Sequence, residues 1–290
     1  MLKGLGTALI TPFEADGSVD YPALKRLLDT QLTGFVDYIV VLGTTGEAAT
    51  MTDKERAEVR TFIRSYVDGR IPLVLGVGGN NTAAVCESLR TIDLTGFEAI
   101  LSVCPYYNKP NQEGLFQHFC KVAEASPIPV ILYNVPGRTG VNLLPETVMR
   151  IYEAYPDKIC GIKEASGNVA QIKNLIDLAN AQCTMHNAQL PFLVISGDDG
   201  IACEVMEAGG AGLISVASNA FAEDFWHIVH EKDQVRQAKY AEIVRLLFAE
   251  GNPVGIKAVL AQKGIIQNYL RLPLVPASEE LSHQIQKELA

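Results

Sequence analysis

Basic side chains are scarce in this sequence of 290 residues: 24 lysines and arginines stand against 33 aspartates and glutamates, which gives a formal net charge of −9. Proteins that bind nucleic acids or anionic membranes carry a basic patch. No run of lysines and arginines offsets the acidic excess here. We therefore expect no nucleic-acid partner and no membrane partner.

Long apolar runs are also missing. No segment reaches the ~18 uninterrupted apolar residues that a membrane-spanning helix needs. The apolar stretch before Pro12 is shorter than the core of a signal peptide. These two absences predict a cytoplasmic protein.

The cysteines form no Cys-x-x-Cys pair; they are Cys86, Cys104, Cys120, Cys160, Cys183 and Cys203. Disulfide frameworks and zinc sites use tighter spacing, so we expect buried free thiols. The hydrolase, metalloprotease and phosphate-loop motifs are absent as well. Asp198 and Asp199 are adjacent carboxylates, but such a pair is weak evidence for a metal site. We expect no metal and no cofactor.

Eight short apolar runs alternate with amphipathic helical patterns along the chain. The runs are Thr7–Ile10, Tyr38–Leu42, Leu73–Val77, Ala99–Val103, Val130–Tyr133, Ile159–Lys163, Phe192–Ser196 and Gly212–Val216. They are almost continuously apolar, which is typical of parallel strands buried on both faces. Eight β-then-α units predict an α/β protein, a closed (β/α)8 TIM barrel.

Strand patterns stop after the eighth run, and only helical patterns follow. We therefore predict a barrel domain over residues 1–224 and a small helical extension over residues 225–290. An open nucleotide-binding sheet is the alternative fold. Its glycine fingerprint is missing after the first run, and the Gly-Val-Gly-Gly cluster at residues 76–79 lacks the spacing of one.

Lys163 closes the sixth run and is the lysine best placed for chemistry. Active sites of such barrels lie where the strands end, and alternation along the strand directs Lys163 into the barrel. Partial removal from water favours the neutral amine, which can attack a ketone and form a Schiff base. The same pattern also fits a lysine that reaches water or pairs with Glu164.

Two other strand ends carry candidate residues. Tyr133 can relay protons, and Arg138 offers a fork of donors for a carboxylate. Thr44 and Thr45 follow the second run, where backbone N–H groups and a helix start favour an anion. Each feature by itself also fits a tyrosine with a satisfied hydroxyl, a surface ion pair or a threonine cap.

Three motifs in this order resemble those of the pyruvate-dependent class I aldolases, the family of the N-acetylneuraminate lyases. They are Gly-Thr-Thr-Gly-Glu at 43–47, Tyr-Asn-Val-Pro-Gly-Arg-Thr-Gly at 133–140 and Gly-Ile-Lys-Glu-Ala-Ser-Gly at 161–167. The resemblance extends from about Gly4 to Leu270. It implies a TIM barrel in which Lys163 forms a Schiff base with pyruvate.

The same resemblance implies roles for the other residues. Tyr133 would relay protons, linked through Thr44 to Tyr107. Thr45 would hold the pyruvate carboxylate, with help from the backbone near the residues Gly197 and Ile214.

Arg138 would receive the carboxylate of a second substrate, L-aspartate 4-semialdehyde. Together with Thr44 it favours the branch of the family that catalyses the first committed step of lysine and diaminopimelate biosynthesis. The alternatives are an aldolase acting on a 2-keto-3-deoxy sugar acid or on N-acetylneuraminate, and a barrel that only binds pyruvate-like ligands.

The resemblance also implies an assembly and an effector pocket. In the family the tyrosine matching Tyr107 enters from the neighbouring subunit, which implies tight dimers paired into a homotetramer. Asn80 and Tyr106 match two residues of the interface pocket of lysine-sensitive members. The remaining pocket positions carry other residues here, Ala48, Asp53, Arg56 and Ala84. Because the glutamate that would pair with the lysine ammonium is missing, we expect weak inhibition by lysine or none.

Overall fold

The computed structural model describes the backbone of residues 2–186 and 192–290, and the side chains of these residues except 183–186. The strands are β1 (Gly4–Ala8), β2 (Tyr38–Val41), β3 (Leu73–Gly76), β4 (Ala99–Val103), β5 (Val130–Asn134), β6 (Ile159–Glu164), β7 (Leu193–Ser196) and β8 (Gly212–Ser215). They form a closed barrel in chain order, from β1 to β8. The predicted TIM barrel is confirmed.

The first strand was predicted in the wrong place: it begins at Gly4, not at Thr7. Glycine is uncommon inside strands, so the Gly-Leu-Gly start weakened the strand pattern. The structure shows why glycine is needed at residue 6. A Cβ atom there would lie 2.3 Å from the ring of Tyr38, which pairs with Gly6 in register.

The described residues contain twelve α-helices. They are α1 (Tyr21–Gln31), α2 (Asp53–Val67), α3 (Thr82–Thr91), α4 (Gln112–Ala125), α5 (Pro136–Thr139), α6 (Pro145–Ala154), α7 (Val169–His186), α8 (Ala202–Glu207), α9 (Ser218–His230), α10 (Gln234–Phe248), α11 (Val254–Gln262) and α12 (Glu279–Leu289). The last three helices, α10 to α12, follow β8 and α9 in the chain. The division at residue 224 lies within α9 and stays a prediction.

The chain divides into two compact units. One contains Leu73–Ile214 with the first residues of the chain, and the other contains Gly4–Pro72 and Ser215–Ala290. In the first unit the strands β3 to β8 pair in parallel, with α3 packed on α4 and α4 packed on α6. This unit carries Tyr133, Lys163 and Gly197.

In the second unit β1 pairs with β2, and α9 packs on β1. Asn219 of α9 is buried, and its amide nitrogen donates to the carbonyl of Ala8 at 2.8 Å. Its amide oxygen accepts from the backbone N–H of Ile10 at 3.1 Å. One side chain thus satisfies the polar backbone where β1 ends, which a buried strand end requires.

Arg271, which follows α11, fastens the C-terminal segment of the second unit. Its guanidinium donates to the carbonyls of Gly17 and Thr50 and forms an ion pair with Glu55 at 2.5 Å. The hydrogen bond from Arg271 lowers the pKa of Glu55 to about 2. Glu55 also forms a capping box with Thr52 at the start of α2. The C-terminal segment is therefore tied to the loops that follow β1 and β2.

The described cysteines are free thiols. Cys86, Cys104, Cys120 and Cys203 are buried as predicted, but Cys160 is half-buried, and Cys183 lies outside the residues with described side chains. Burial raises the pKa of the Cys160 thiol to about 12 and raises that of Cys104 as well. Since the thiolate is the nucleophile, the raised pKa disfavours nucleophilic chemistry at Cys104 and Cys160.

Within residues 2–186 and 192–290, no helix has the length and apolarity to cross a membrane. The side chains described there also form no group of three or more histidines, cysteines, aspartates or glutamates that could hold a metal ion. The carboxylate of Asp198 instead accepts a hydrogen bond from the backbone of Gly200 at 2.9 Å.

Candidate active site

Lys163 and Tyr133 lie side by side on neighbouring strands. They are register partners in the β5–β6 pair, so their side chains project from the same face of the sheet. Both side chains are buried, and the Lys163 Nζ lies 4.5 Å from the centre of the Tyr133 ring. The structure thus places an amine and a phenol together in a site sheltered from water, as Schiff-base chemistry with a proton relay requires.

Gly197, directly after β7, makes room for the lysine. A Cβ atom at this residue would lie 2.9 Å from Cε of Lys163 and 2.6 Å from Cβ of Ala165. Real Cβ atoms do not approach so closely, so any larger residue would displace the lysine. The family resemblance implies that the backbone near Gly197 helps to bind substrate, and the structure shows this additional contact with Lys163.

Arg138 lies in the short helix α5, in a loop between β5 and α6 that we call the arginine loop (residues 135–142). Its side chain is exposed, whereas Thr139 beside it is buried. The Thr139 hydroxyl shares its one hydrogen between the carbonyls of Val135 at 3.2 Å and Val141 at 3.0 Å, which closes the loop upon itself. The loop therefore presents Arg138 to solvent from a closed backbone. Ile214, by contrast, is a buried residue of β8.

Glu164 is the centre of a polar cluster that contacts both ends of the arginine loop. Its carboxylate accepts from the side-chain amides of Asn134 at 2.8 Å and Gln171 at 3.2 Å, and from the backbone of Ser166 at 2.8 Å. The Asn134 amide oxygen accepts from the backbone N–H of Leu143. From the sequence, Glu164 is expected only as a partner for Lys163. Nothing in the sequence distinguishes Asn134 and Gln171 from other polar residues.

In the second unit, Thr44 and Thr45 begin a tight turn after β2, which we call the threonine turn (residues 44–47). Thr44 is exposed and Thr45 is buried. The turn is closed by a hydrogen bond from the backbone N–H of Glu47 to the carbonyl of Thr44 at 3.1 Å. The hydroxyl of Thr45 accepts from the side-chain amide of Asn252 at 2.9 Å. The turn thus leaves one threonine open to solvent and holds the other in place.

A buried ion pair supports the end of the threonine turn. Nζ of Lys257, in α11, lies 2.5 Å from a carboxylate oxygen of Glu47, and both side chains are almost fully buried. The same amine donates to the carbonyl of Tyr269 at 3.0 Å and lies 4.2 Å from the centre of the Phe13 ring. Burial lowers the pKa of Lys257 to about 8, although Glu47 acts in the opposite direction. No local pattern in the sequence predicts this pair.

Tyr107 occupies the tip of a sharp turn and is 89% exposed. Its φ of +74° is a left-handed conformation, which is strained for a bulky residue. The carbonyl of Tyr106 accepts from the backbone of Asn108 at 2.9 Å and from the side chain of Asn80 at 3.2 Å. Asn80 and Tyr106, both predicted to line an effector pocket, therefore contact each other, and this contact holds the tip.

Arg56 contacts the other predicted effector positions of the second unit. Its guanidinium donates to the carbonyls of Ala48 and Met51 and forms an ion pair with Asp53. A fixed cation therefore stands among these residues. Ala84 lies in the first unit, on the exposed first turn of α3, and its backbone N–H is capped by Asn81.

A model of the dihydrodipicolinate synthetase family matches residues 1–290. The chain belongs to this family. It is 48% identical over 282 residues to the 4-hydroxy-tetrahydrodipicolinate synthase of Parabacteroides distasonis, which covers 95% of this chain and 92% of the relative. The resemblance that the three motifs indicated is thereby confirmed.

Solved structures of dihydrodipicolinate synthases are similar over nearly the whole chain. The chloride-inhibited enzyme of Acinetobacter baumannii in complex with pyruvate matches with a TM-score of 0.92 at 38% identity, covering 100% of this chain and 98% of that chain. A monomeric variant of a dihydrodipicolinate synthase matches with a TM-score of 0.92 at 39% identity, covering 99% of this chain and 95% of that chain.

In this member of the dihydrodipicolinate synthetase family, the structure brings several predicted residues together within each unit. Lys163, Tyr133 and Gly197 form one group in the first unit. Thr44 and Thr45 share one turn in the second unit.

Proposed function

We propose that the chain is a 4-hydroxy-tetrahydrodipicolinate synthase, which condenses pyruvate with L-aspartate 4-semialdehyde. The observation that carries the proposal is the buried Lys163 amine beside Tyr133, in the space left by Gly197. A buried primary amine next to a phenol suits formation of a Schiff base with a 2-keto acid. Membership of the dihydrodipicolinate synthetase family supports the same reaction.

The proposed reaction begins when the Lys163 amine attacks the keto carbon of pyruvate. Loss of water leaves a protonated imine, and loss of a proton from the methyl carbon converts it to an enamine. The enamine carbon then forms a bond to the aldehyde carbon, whose oxygen takes up a proton. The amino group of the second substrate finally displaces Lys163 from the imine, which closes the ring and frees the lysine. Tyr133 is the proposed proton relay in these steps, linked through Thr44 to Tyr107.

Arg138 is the proposed receptor for the carboxylate of L-aspartate 4-semialdehyde. Arg138 is an exposed residue, and an arginine guanidinium forms two parallel hydrogen bonds with a carboxylate. The Glu164 cluster supports this role because it ties down both ends of the arginine loop. Thr45 is the proposed receptor for the pyruvate carboxylate, with help near the residues Gly197 and Ile214.

The proposed assembly is a homotetramer of tight dimers, in which Tyr107 contacts a second copy of the chain. The exposure of Tyr107 and its strained, well-anchored turn support this role. A monomeric variant is among the similar solved structures, so assembly needs its own measurement. Sedimentation of the purified chain will give the oligomeric state. The cytoplasmic location stays a prediction.

The experiment that tests the proposed function is trapping with borohydride. Reduction in the presence of pyruvate is expected to leave a stable adduct on Lys163, located by mass spectrometry of peptides. Adding L-aspartate 4-semialdehyde should diminish this adduct, because turnover consumes the enamine. An adduct that is indifferent to the aldehyde would favour a sugar-acid aldolase, and the absence of any adduct would overturn the proposal.

Lysine is expected to inhibit this enzyme weakly or not at all. An effector ammonium needs an anionic partner, and the carboxylate at these positions, that of Asp53, is already paired with the Arg56 guanidinium. The measurement is the steady-state rate of condensation as lysine is titrated. A rate that falls steeply at low lysine concentration would contradict the prediction. The same titration with arginine is the control for ionic strength and charge.

A further inference from the structure

The contact between Asn252 and Thr45 joins two residues that are 207 positions apart in the chain. Both are buried, and the Asn252 amide nitrogen lies 2.9 Å from the Thr45 hydroxyl oxygen. An amide nitrogen can only donate, so the hydroxyl oxygen is the acceptor in this bond. A hydroxyl has one hydrogen, and that hydrogen is then left to donate elsewhere.

We propose that Asn252 is a positioning residue that keeps the Thr45 hydroxyl a hydrogen-bond donor toward the carboxylate of pyruvate. A carboxylate offers only acceptors, so Thr45 can bind it only by donating. If the hydroxyl donated to a protein acceptor instead, it would turn a lone pair toward the anion. The inference rests on the proposed function, which assigns the pyruvate carboxylate to Thr45.

The segment that carries Asn252 is held in place from a second point. Lys257 lies a little further along the chain, within α11. It forms the buried ion pair with Glu47 at the other end of the threonine turn. The start of α11 and the threonine turn are therefore joined by two buried polar contacts. A donor fixed in this way needs no rearrangement when the anion binds, which favours binding.

The test compares the pyruvate concentration that gives half-maximal borohydride trapping on Lys163 in four variants of Asn252 and Thr45 and in one control variant. Asn252→Ala is expected to raise this concentration about tenfold. Without the amide donor the Thr45 hydroxyl is misdirected, and its hydrogen bond to the charged carboxylate of pyruvate is lost. Asn252→Asp keeps the shape but makes the residue an acceptor, so it should capture the Thr45 hydrogen and repel the ligand. At about pH 8, where a carboxyl group is ordinarily ionised, we expect a rise of about 100-fold.

Thr45→Val separates positioning from a merely structural effect. It should raise the half-maximal concentration at least as much as Asn252→Ala does. Adding Asn252→Ala to Thr45→Val should then cause no further rise, because Asn252 acts only through the missing hydroxyl. Trapping at saturating pyruvate should still reach Lys163 in every variant.

Asn219→Ala is the matched control, since Asn219 is another buried asparagine of the same unit with hydrogen bonds to the backbone. It should lower the thermal midpoint without moving the half-maximal concentration. Wild-type affinity in Asn252→Asp, or effects of Asn252→Ala and Thr45→Val that multiply in the double variant, would overturn the inference. Failure of the wild-type chain to trap pyruvate on Lys163 would instead overturn the proposed function.

Discussion

Lys163→Arg is expected to lower kcat/KM for the condensation by on the order of 10³-fold or more, the scale seen when an essential nucleophile is removed. Arginine is also a long basic side chain that can lie beside Tyr133, but its guanidinium stays protonated and cannot form an imine. The variant should therefore fold and lose only the chemistry. The measurements are the steady-state rate and the pyruvate adduct after borohydride reduction, which should disappear.

The matched control is Lys158→Arg, since Lys158 directly precedes β6 and its amine donates to the carbonyl of Ser126 at 3.1 Å. A guanidinium can make the same hydrogen bond, so activity should stay within about twofold of wild type. An adduct on another lysine in Lys163→Arg, with activity retained, would show that the Schiff base forms elsewhere. Unchanged circular dichroism would confirm that the loss does not come from misfolding.

Lys257→Met is expected to lower the free energy of unfolding by about 3–5 kcal/mol, the usual cost of removing one partner of a buried ion pair. Methionine fills much of the space but leaves the buried carboxylate of Glu47 without its cation. It also leaves the carbonyl of Tyr269 without its donor. Urea unfolding followed by fluorescence measures the change.

Removing both charges should recover much of this loss, because no uncompensated ion then remains. Glu47→Gln combined with Lys257→Met is therefore expected to be more stable than Lys257→Met alone. Lys121→Met is the control, since Lys121 pairs with Glu124 on the surface at 2.7 Å, where such pairs contribute less than about 1 kcal/mol. A Lys257→Met variant as stable as wild type would show that the buried pair contributes nothing net.

The strand pattern predicted most of the barrel because each strand is a continuous apolar run between helical patterns. This information is local, and a strand such as Ala99–Val103 keeps the predicted bounds in the structure. The start of β1 was missed because Gly6 is required by a residue distant in the sequence. The ring of Tyr38 leaves no room for a side chain at residue 6. A local pattern does not reveal such a requirement.

The sequence identified some of the candidate site residues and missed the residues that support them. Lys163, Tyr133 and the two threonines lie at strand ends within three short motifs, so position and residue type identified them as candidates. Lys257 could have been suspected, because it is the one charged residue in the otherwise apolar start of α11. Nothing local in the sequence pointed to its partner, Glu47.

The sequence by itself determined the parallel barrel and the candidate lysine, since these follow from apolar periodicity and from residue types near strand ends. Only the tertiary structure decided which side chains hold the candidate site residues in place. Asn252 reaches Thr45 and Lys257 reaches Glu47 across more than half of the chain. Hydrogen bonds and buried ion pairs depend on atoms that meet in space, and residues so far apart in sequence meet only when the chain folds.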